Sequence, residues 1–141
     1  MRQFSKTISI SASPATVWQI LVDVDQWPQW TRSVTSVERL NENGMAAGAQ
    51  VRIVQPKLKP AVWTVTQWLP ERSFTWVSKS PGVTVTAGHE IVRTSAGCDV
   101  ALTIHFGGML SGFVGLIAGR LTNEYMAMEA NGLKHRAEAM A

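Results

Sequence analysis

The fold is decided by the second half of the chain, where residues 83–140 read VTVTAGHEIVRTSAGCDVALTIHFGGMLSGFVGLIAGRLTNEYMAMEANGLKHRAEAM. Apolar and polar residues alternate over Val83–Thr94 and again over Cys98–Phe106, and this period of two predicts two strands. The segment Ser95-Ala96-Gly97 predicts the turn between them. Over Leu110–Met140 the apolar residues recur every three or four positions, which predicts one long helix.

The residues upstream predict five more strands and two short helices. Ser13-Pro14 marks the start of the first helix, because serine caps free amide groups and proline suits the first helical position. A second short helix is predicted over Asp23–Trp30, with Asp25 as its cap. The strands are predicted over Phe4–Ile10, Val34–Leu40, Ala49–Gln55, Ala61–Leu69 and Ser73–Lys79.

The connections from the second strand onward are short, and Asn41-Glu42-Asn43-Gly44 is a strong turn signal. Strands joined in this way pair as an antiparallel meander. The pattern therefore predicts an α+β protein with a seven-stranded antiparallel sheet, two short helices between strands 1 and 2, and a long C-terminal helix.

Composition narrows the class of protein. A chain of 141 residues, 45% apolar and 16% charged, is typical of a single globular domain, here residues 1–141. Its net charge is +3, and its basic residues are scattered along the sequence. Nucleic-acid binding needs a dense stripe of basic residues, so we do not expect a nucleic-acid partner. The single cysteine, Cys98, excludes an intramolecular disulfide and fits a reducing compartment.

The sequence shows no targeting or membrane-spanning signal. Met1–Phe4 lacks the apolar run of a secretory signal. The longest apolar stretch, Met109–Gly119, is too short to span a bilayer. We therefore expect a cytoplasmic protein with no integral membrane segment.

Strand alternation assigns the side chains to two faces of the sheet. The predicted inner face, which faces the long helix, takes Val51, Ile53, Trp63, Val65, Leu69, Phe74, Trp76, Val83, Val85, Ala87, His89, Ile91, Val100, Leu102, Ile104 and Phe106. Trp68 is assigned to the outer face. On the helix, the predicted stripe facing the sheet comprises Phe113, Ile117, Leu121, Tyr125 and Met128.

A strongly curved sheet and one long helix can enclose a pocket rather than fill a core, so a container for an apolar small molecule is the leading interpretation. Four glycines interrupt the helix, namely Gly112, Gly115, Gly119 and Gly132. They either permit close backbone approach or leave space at the mouth of the pocket. Alternatively, Gly107–Gly112 is a flexible lead-in and the helix begins later.

Several local features carry a resemblance to a known family. They are Ser13-Pro14, the segment Trp27-Pro28-Gln29-Trp30, Gly48, the segment Pro70-Glu71-Arg72-Ser73-Phe74-Thr75-Trp76, Pro81-Gly82 and Gly97. Together with the order of the elements, they make the chain resemble the polyketide cyclase/dehydrase-like branch of the START-related (SRPBCC) superfamily. The resemblance implies a helix-grip fold, in which the curved sheet grips the C-terminal helix around a deep apolar cavity. It implies a hydrophobic ligand such as a lipid, polyketide or isoprenoid-like compound, and no universal catalytic motif.

The predicted ligand-binding residues are Trp30, Ile53, Trp63, Trp76, His89, Phe106, Phe113, Ile117 and Tyr125. His89 is either a general acid or base on an apolar face or a core histidine with satisfied nitrogens. Tyr125 offers a hydroxyl from the helix, and these two residues are the best catalytic candidates. The three arginines that could anchor an anion, Arg52, Arg93 and Arg120, are more typical of solvated positions. No metal-ligand spacing and no phosphate-binding loop occur, so we expect no metal and no cofactor.

Three functions remain compatible with the sequence. The first is a binding protein for an apolar small molecule. The second is a cyclase or dehydratase that positions such a ligand and moves protons. The third is an interaction module that binds another protein or forms a homodimer, for which Trp68 on the outer face would supply an exposed apolar patch.

Overall fold

The computed structural model describes residues 2–42 and 44–141; Met1, and Asn43 of the predicted turn, lie outside the described residues. The strands are β1 (Arg2–Ile10), β2 (Ser36–Arg39), β3 (Gln50–Val54), β4 (Ala61–Leu69), β5 (Ser73–Ser80), β6 (Val83–Thr94) and β7 (Gly97–Gly107). The helices are α1 (Pro14–Val22), α2 (Trp27–Trp30) and α3 (Ser111–Met140), and a 3₁₀ turn at Val24–Gln26 precedes α2. The predicted helix-grip fold is confirmed, with seven strands and two short helices between β1 and β2.

One antiparallel sheet contains all seven strands, in the order β1-β7-β6-β5-β4-β3-β2. The predicted meander from β2 to β7 is confirmed, because each of these strands pairs with the next along the chain. The first strand closes the arrangement by pairing with the last, so that Phe4 lies opposite Ile104 and Ile8 opposite Val100. β1 and β2 are consequently the two edges of the sheet, and α3 packs across β1 and β7.

A β-bulge in β4 changes which side chains face inward. Val65 lies opposite Trp76, but the next pair is Gln67 with Thr75, so Thr66 is an extra residue. A single inserted residue reverses the alternation beyond it. Trp68, assigned to the outer face by the sequence, therefore packs edge-on against Trp18 of α1, with ring centroids 4.9 Å apart.

This reversal corrects two predictions. Leu69, expected inside, is exposed, and Trp68 is half-buried rather than part of an exposed apolar patch. The observation that favoured an interaction module is thereby removed. Trp18 itself holds α1 on the sheet, because it contacts Trp68 and also Phe74.

The predicted orientation of α3 is wrong over its first turns. Phe113 and Ile117 are exposed, while Val114 and Ala118 face the sheet. Apolar residues surround this part of the helix on every side, so their periodicity does not single out one face. Farther along, Leu121 and Tyr125 do face inward, and Met128 is exposed.

The chain before β2 follows the sequence more closely. Ser13 caps α1 as expected, because its hydroxyl accepts a hydrogen bond from the amide of Thr16 at 3.2 Å. Asp25 does not cap a helix; its carboxylate lies 3.1 Å from the Arg39 guanidinium instead. The predicted second helix is divided into the 3₁₀ turn and α2.

Glycine allows α3 to approach α2 closely. A Cβ atom on Gly132 would lie 1.9 Å from the carbonyl oxygen of Trp30, far inside van der Waals contact. Gly119 lies against the ring of Phe4, whereas Gly112 has open space around it. The helix already begins at Ser111, so the close-approach interpretation is correct for Gly132 and the late start is wrong.

Candidate functional site

A cavity of about 620 Å³ lies between the inner face of the sheet and α3. This volume falls within the range of about 300–1,000 Å³ that is typical of small-molecule sites. Its deep end is formed by buried residues such as Trp27, Trp76 and His89, and its mouth by exposed residues such as Leu58 and Lys79. From Val83 to His89 the strand β6 runs about 20 Å along the cavity wall, at about 3.3 Å for each residue.

Six of the nine predicted ligand-binding residues line this cavity: Ile53, Trp63, Trp76, His89, Phe106 and Tyr125. The other three do not. Phe113 and Ile117 are exposed on the opposite side of α3. Trp30 borders a separate, smaller pocket together with Arg136.

Trp27 lines the cavity, whereas the sequence predicted Trp30 as a ligand-binding residue. Trp27 is 2% exposed, and its indole Nε1 donates a hydrogen bond to the carbonyl of Leu21 at 3.0 Å. Its ring packs against Trp76 and His89 at the deep end of the cavity. Trp30 is directed elsewhere because its backbone lies directly against Gly132 of α3.

His89 is held at the deep end by its neighbours. It is 4% exposed, and its ring stacks on Phe74 with centroids 4.1 Å apart and an interplanar angle of 8°. Nδ1 lies 3.2 Å from the carbonyl oxygen of Phe74, which can only accept a hydrogen bond. The proton of the neutral ring therefore sits on Nδ1, and Nε2 presents a lone pair. Burial lowers the pKa of His89 to about 4, so the ring is neutral at physiological pH.

Glu129 of α3 faces the free nitrogen of this ring. Its Oε2 atom lies 3.6 Å from Nε2 of His89, and its side chain is 18% exposed and lines the cavity. Burial raises the pKa of the Glu129 carboxyl to about 7. Near neutral pH a large fraction of this carboxyl is therefore protonated. The deep end thus combines a proton donor and a proton acceptor in one apolar enclosure.

Sequence reasoning identified His89 and missed Glu129. Glu129 follows Tyr125 by four positions, and residues at that spacing share one face of a helix. An acidic residue in line with an inward-facing tyrosine was the available signal. It was overlooked because the predicted stripe continued through Met128, which the structure places on the exposed side.

Tyr125 lies nearer the mouth than the pair. Its hydroxyl donates a hydrogen bond to the carbonyl of Pro56, in the loop between β3 and β4. That contact ties the loop to α3 and directs the hydroxyl to a backbone carbonyl rather than to His89. The structure thus brings His89 together with Glu129, and not with Tyr125.

The three candidate arginines are all exposed, and none lines the cavity. Arg52 lies 3.9 Å from Glu38, and Arg120 lies 3.6 Å from Glu124. Two cationic side chains, those of Lys59 and Lys79, line the cavity at its mouth.

Within residues 2–42 and 44–141, no group of three histidine, cysteine, aspartate or glutamate side chains is arranged to hold a metal ion. Over that same part of the chain, no helix combines the length and apolar character needed to cross a membrane.

Comparison with protein families gives one match over almost the whole chain. Residues 1–138 match the family described as "Polyketide cyclase / dehydrase and lipid transport". A comparison with curated proteins finds no match.

Solved structures with the same fold share little sequence with this chain. A START superfamily protein from Mycobacterium smegmatis has a TM-score of 0.76 at 19% identity, with 99% of each chain covered. The Zhui aromatase/cyclase from a Streptomyces species has a TM-score of 0.77 at 20% identity, covering 97% of this chain and 93% of that one. A Thermus thermophilus protein has a TM-score of 0.78 at 18% identity, with 99% of each chain covered. At these identities the likeness establishes the fold alone.

Proposed function

This chain belongs to the polyketide cyclase/dehydrase and lipid transport family, and on that premise we propose that it binds a hydrophobic small molecule in the cavity between its sheet and α3. The observation that carries the proposal is a cavity of about 620 Å³, open at its mouth, whose walls are mostly apolar and aromatic. Such walls with a few polar groups are typical of small-molecule sites. Lipids, polyketides and isoprenoid-like compounds are ligands of matching character.

The deep end adds a requirement on the ligand. His89 and Glu129 are two polar groups there, and Trp27, Trp76 and Leu102 surround them with apolar surface. A hydroxyl or carbonyl oxygen at one end of the ligand would accept a hydrogen bond from the protonated carboxyl. Oε2 of Glu129 and Nε2 of His89 are 3.6 Å apart, beyond hydrogen-bonding distance, so an entirely hydrocarbon ligand would leave both without a partner, at a cost in free energy. We therefore expect an apolar body with at least one oxygen directed toward the pair.

Filling the cavity tests the proposal directly. Ala118 lines the cavity, and Ala139 is exposed on the same helix outside it. We expect Ala118→Trp to weaken binding of a neutral apolar dye such as Nile red by at least ~tenfold, because the indole occupies the space of the dye. The matched variant Ala139→Trp should bind the dye as the wild type does. Equal dye affinity in the wild type and Ala118→Trp would contradict the proposal.

A second candidate function is acid–base chemistry on the bound ligand, and the His89–Glu129 contact favours it. In a β-hydroxy ketone, Nε2 of His89 would take the proton on the carbon next to the carbonyl. The Glu129 carboxyl would give its proton to the hydroxyl, which leaves as water while a carbon–carbon double bond forms. One proton transfer from His89 to Glu129 then restores the starting state. Tuned pairs of this kind are typical of catalytic acids and bases.

Hydrogen exchange on a bound ketone tests this candidate without a known substrate. In D₂O the wild type should accelerate exchange of the hydrogens next to the carbonyl of a long-chain ketone. His89→Gln and Glu129→Gln should each lower the rate by about 10²–10⁴-fold, the usual contribution of a general acid or base. The exposed Glu124 on the same helix gives the control Glu124→Gln, with an unchanged rate. An unchanged rate in both test variants would leave binding as the sole function.

A further inference from the structure

The first turns of α3 expose a row of large apolar side chains. Met109, Leu110, Phe113, Leu116 and Ile117 are between 49% and 96% exposed. Phe113, Leu116, Ile117 and Arg120 recur at helical spacing and share one face, while Val114 and Ala118 on the other face line the cavity. These turns are therefore apolar on both sides. The exposed residues Met109, Leu110, Phe113, Leu116 and Ile117 are called the apolar face below.

This apolar face lies at the mouth of the cavity. The amide of Leu110 donates a hydrogen bond to the carbonyl of Gly82 at 2.8 Å, which ties the start of α3 to the turn between β5 and β6. The loop between β3 and β4 is tied to α3 through Pro56. Residues 55–60, 78–83 and 107–120, called the mouth segments below, thus meet at the end of the sheet where β3, β5 and β7 terminate.

Charge is distributed unevenly between this end and the rest of the chain. The mouth segments contain four basic residues, Lys57, Lys59, Lys79 and Arg120, and no acidic residue. The remaining sequence carries the other nine basic residues and all ten acidic ones. The net positive charge of the protein is therefore concentrated around the apolar face.

We propose that the mouth segments dock on the surface of an anionic lipid bilayer. The apolar face would enter the boundary between headgroups and acyl chains, and the surrounding cations would contact lipid phosphates. Apolar side chains combined with basic residues are what interfacial helices use for this purpose. The proposal deepens the proposed function and rests on it, because docking would place the cavity mouth against a reservoir of apolar ligand.

The shape and charge of the face favour a bilayer over a protein partner. Its side chains project from a convex helix, and a bilayer accommodates such projections without a complementary surface. A second copy of the chain would bring its own four mouth cations to the contact, where like charges repel. Leu58 is a further exposed apolar residue within the mouth segments, whereas exposed apolar residues such as Leu40 and Val92 lie outside them.

Vesicle flotation tests the proposal with no ligand present. We expect the wild type to bind vesicles of phosphatidylcholine mixed with phosphatidylglycerol, to bind pure phosphatidylcholine much more weakly, and to be released by salt. Leu116→Asp should lower the partition coefficient by at least ~tenfold, because a charged group replaces an inserted apolar one. Lys57→Ala should lower it about fivefold, the equivalent of about 1 kcal/mol for a cation near the surface. Arg120→Ala should lower it less, because the Arg120 guanidinium lies 3.6 Å from the Glu124 carboxylate.

Val92 supplies the matched control. It is 51% exposed on β6, near the end of the strand away from the mouth, so Val92→Asp should bind anionic vesicles as the wild type does. Both substituted positions are exposed, and unchanged melting temperatures would establish that both variants fold. Wild-type vesicle binding by Leu116→Asp would overturn the proposal. A second result would also overturn it: a wild type that binds no vesicles and forms a dimer in light scattering, which Leu116→Asp dissociates.

The docking proposal and the proposed function fail in different ways. Leu116→Asp should retain Nile red binding in vesicle-free solution, because Leu116 does not line the cavity. Ala118→Trp should lose the dye and keep vesicle binding. A variant that loses only vesicle binding is defective in the apolar face, whereas a variant that loses only dye binding is defective in the cavity.

Discussion

At the scale of single residues, the arrangement of His89 and Glu129 reverses the usual charge states of the two groups. In water near pH 6 a histidine is largely protonated and a glutamate is ionised. In the folded protein the ring is neutral, and the carboxyl holds the proton up to a pH of about 7. Between about pH 4.5 and 6.5 the pair therefore holds one titratable proton in either state. That proton is on His89 in the unfolded chain and on Glu129 in the folded protein.

Stability should reveal the raised pKa of Glu129. A carboxyl whose pKa is higher in the folded state stabilises the fold at low pH, and that contribution is lost as the pH rises through about 7. Glu129→Gln cannot ionise, so its free energy of unfolding should rise relative to the wild type as the pH increases from about 5 to about 8. The gain should be on the order of 3 kcal/mol at most. Urea denaturation at the two pH values measures it.

The same substitution at an exposed site is the control for this prediction. Glu124 lies on the same helix at an exposed position, and Glu124→Gln should show no comparable gain at high pH. If the wild type and Glu129→Gln had the same free energy of unfolding at pH 8, the fold would not raise the pKa of the Glu129 carboxyl, and the prediction would be wrong.

The sequence could predict His89 but not its partner, for a physical reason. A side chain in a strand points to one face of the sheet or the other, and the apolar residues Ala87 and Ile91 indicate that His89 shares their inner face. A helix surrounded by apolar residues offers several faces of similar hydrophobicity. The contact of Glu129 with His89 depends on the rotation of α3, which packing determines.

At the scale of elements, the glycines of α3 serve different purposes, and two of them permit a matched test. Gly132→Ala would place a methyl group 1.9 Å from the backbone oxygen of Trp30, so α2 or α3 must shift. Gly112→Ala meets nothing within 4 Å. We expect Gly132→Ala to destabilise the protein by about 1–3 kcal/mol, as overpacking does, and Gly112→Ala to stabilise it by up to about 1 kcal/mol.

Thermal denaturation of the two variants measures both effects. Their opposite signs are the essential result, because the chemical change is identical and only the surroundings differ. Equal shifts in melting temperature would show that helix propensity, rather than the contact with Trp30, governs both positions.

The bulge in β4 could not be predicted from the sequence. No glycine or proline marks Thr66, and the segment Ala61–Leu69 reads as an ordinary strand. Tertiary packing favours the bulge, because the bulge turns Trp68 inward, where it contacts Trp18 and Phe74. The strand bounds were predicted correctly, while the faces beyond the bulge were inverted.

At the scale of the whole molecule, turn signals and hydrophobic periods were sufficient for the architecture. The predicted bounds of β4 and β6 agree with the structure, and every strand was anticipated. The cavity could not be derived from the pattern alone. Alternation states which side of a strand is apolar, but not how far the opposing helix stands from it. The distance depends on sheet curvature and on contacts such as that between Gly132 and Trp30.

The pairing of β1 with β7 has a consequence for synthesis on the ribosome. β1 is made first, yet its hydrogen-bonding partner begins only at Gly97. Until then the nascent chain carries a strand with two open edges, a state that invites aggregation. We expect cooperative folding only after β7 has left the exit tunnel, and slow refolding because the contacts are distant in sequence. Protease resistance in stalled nascent chains of increasing length would check this; resistance before β7 emerges would refute it.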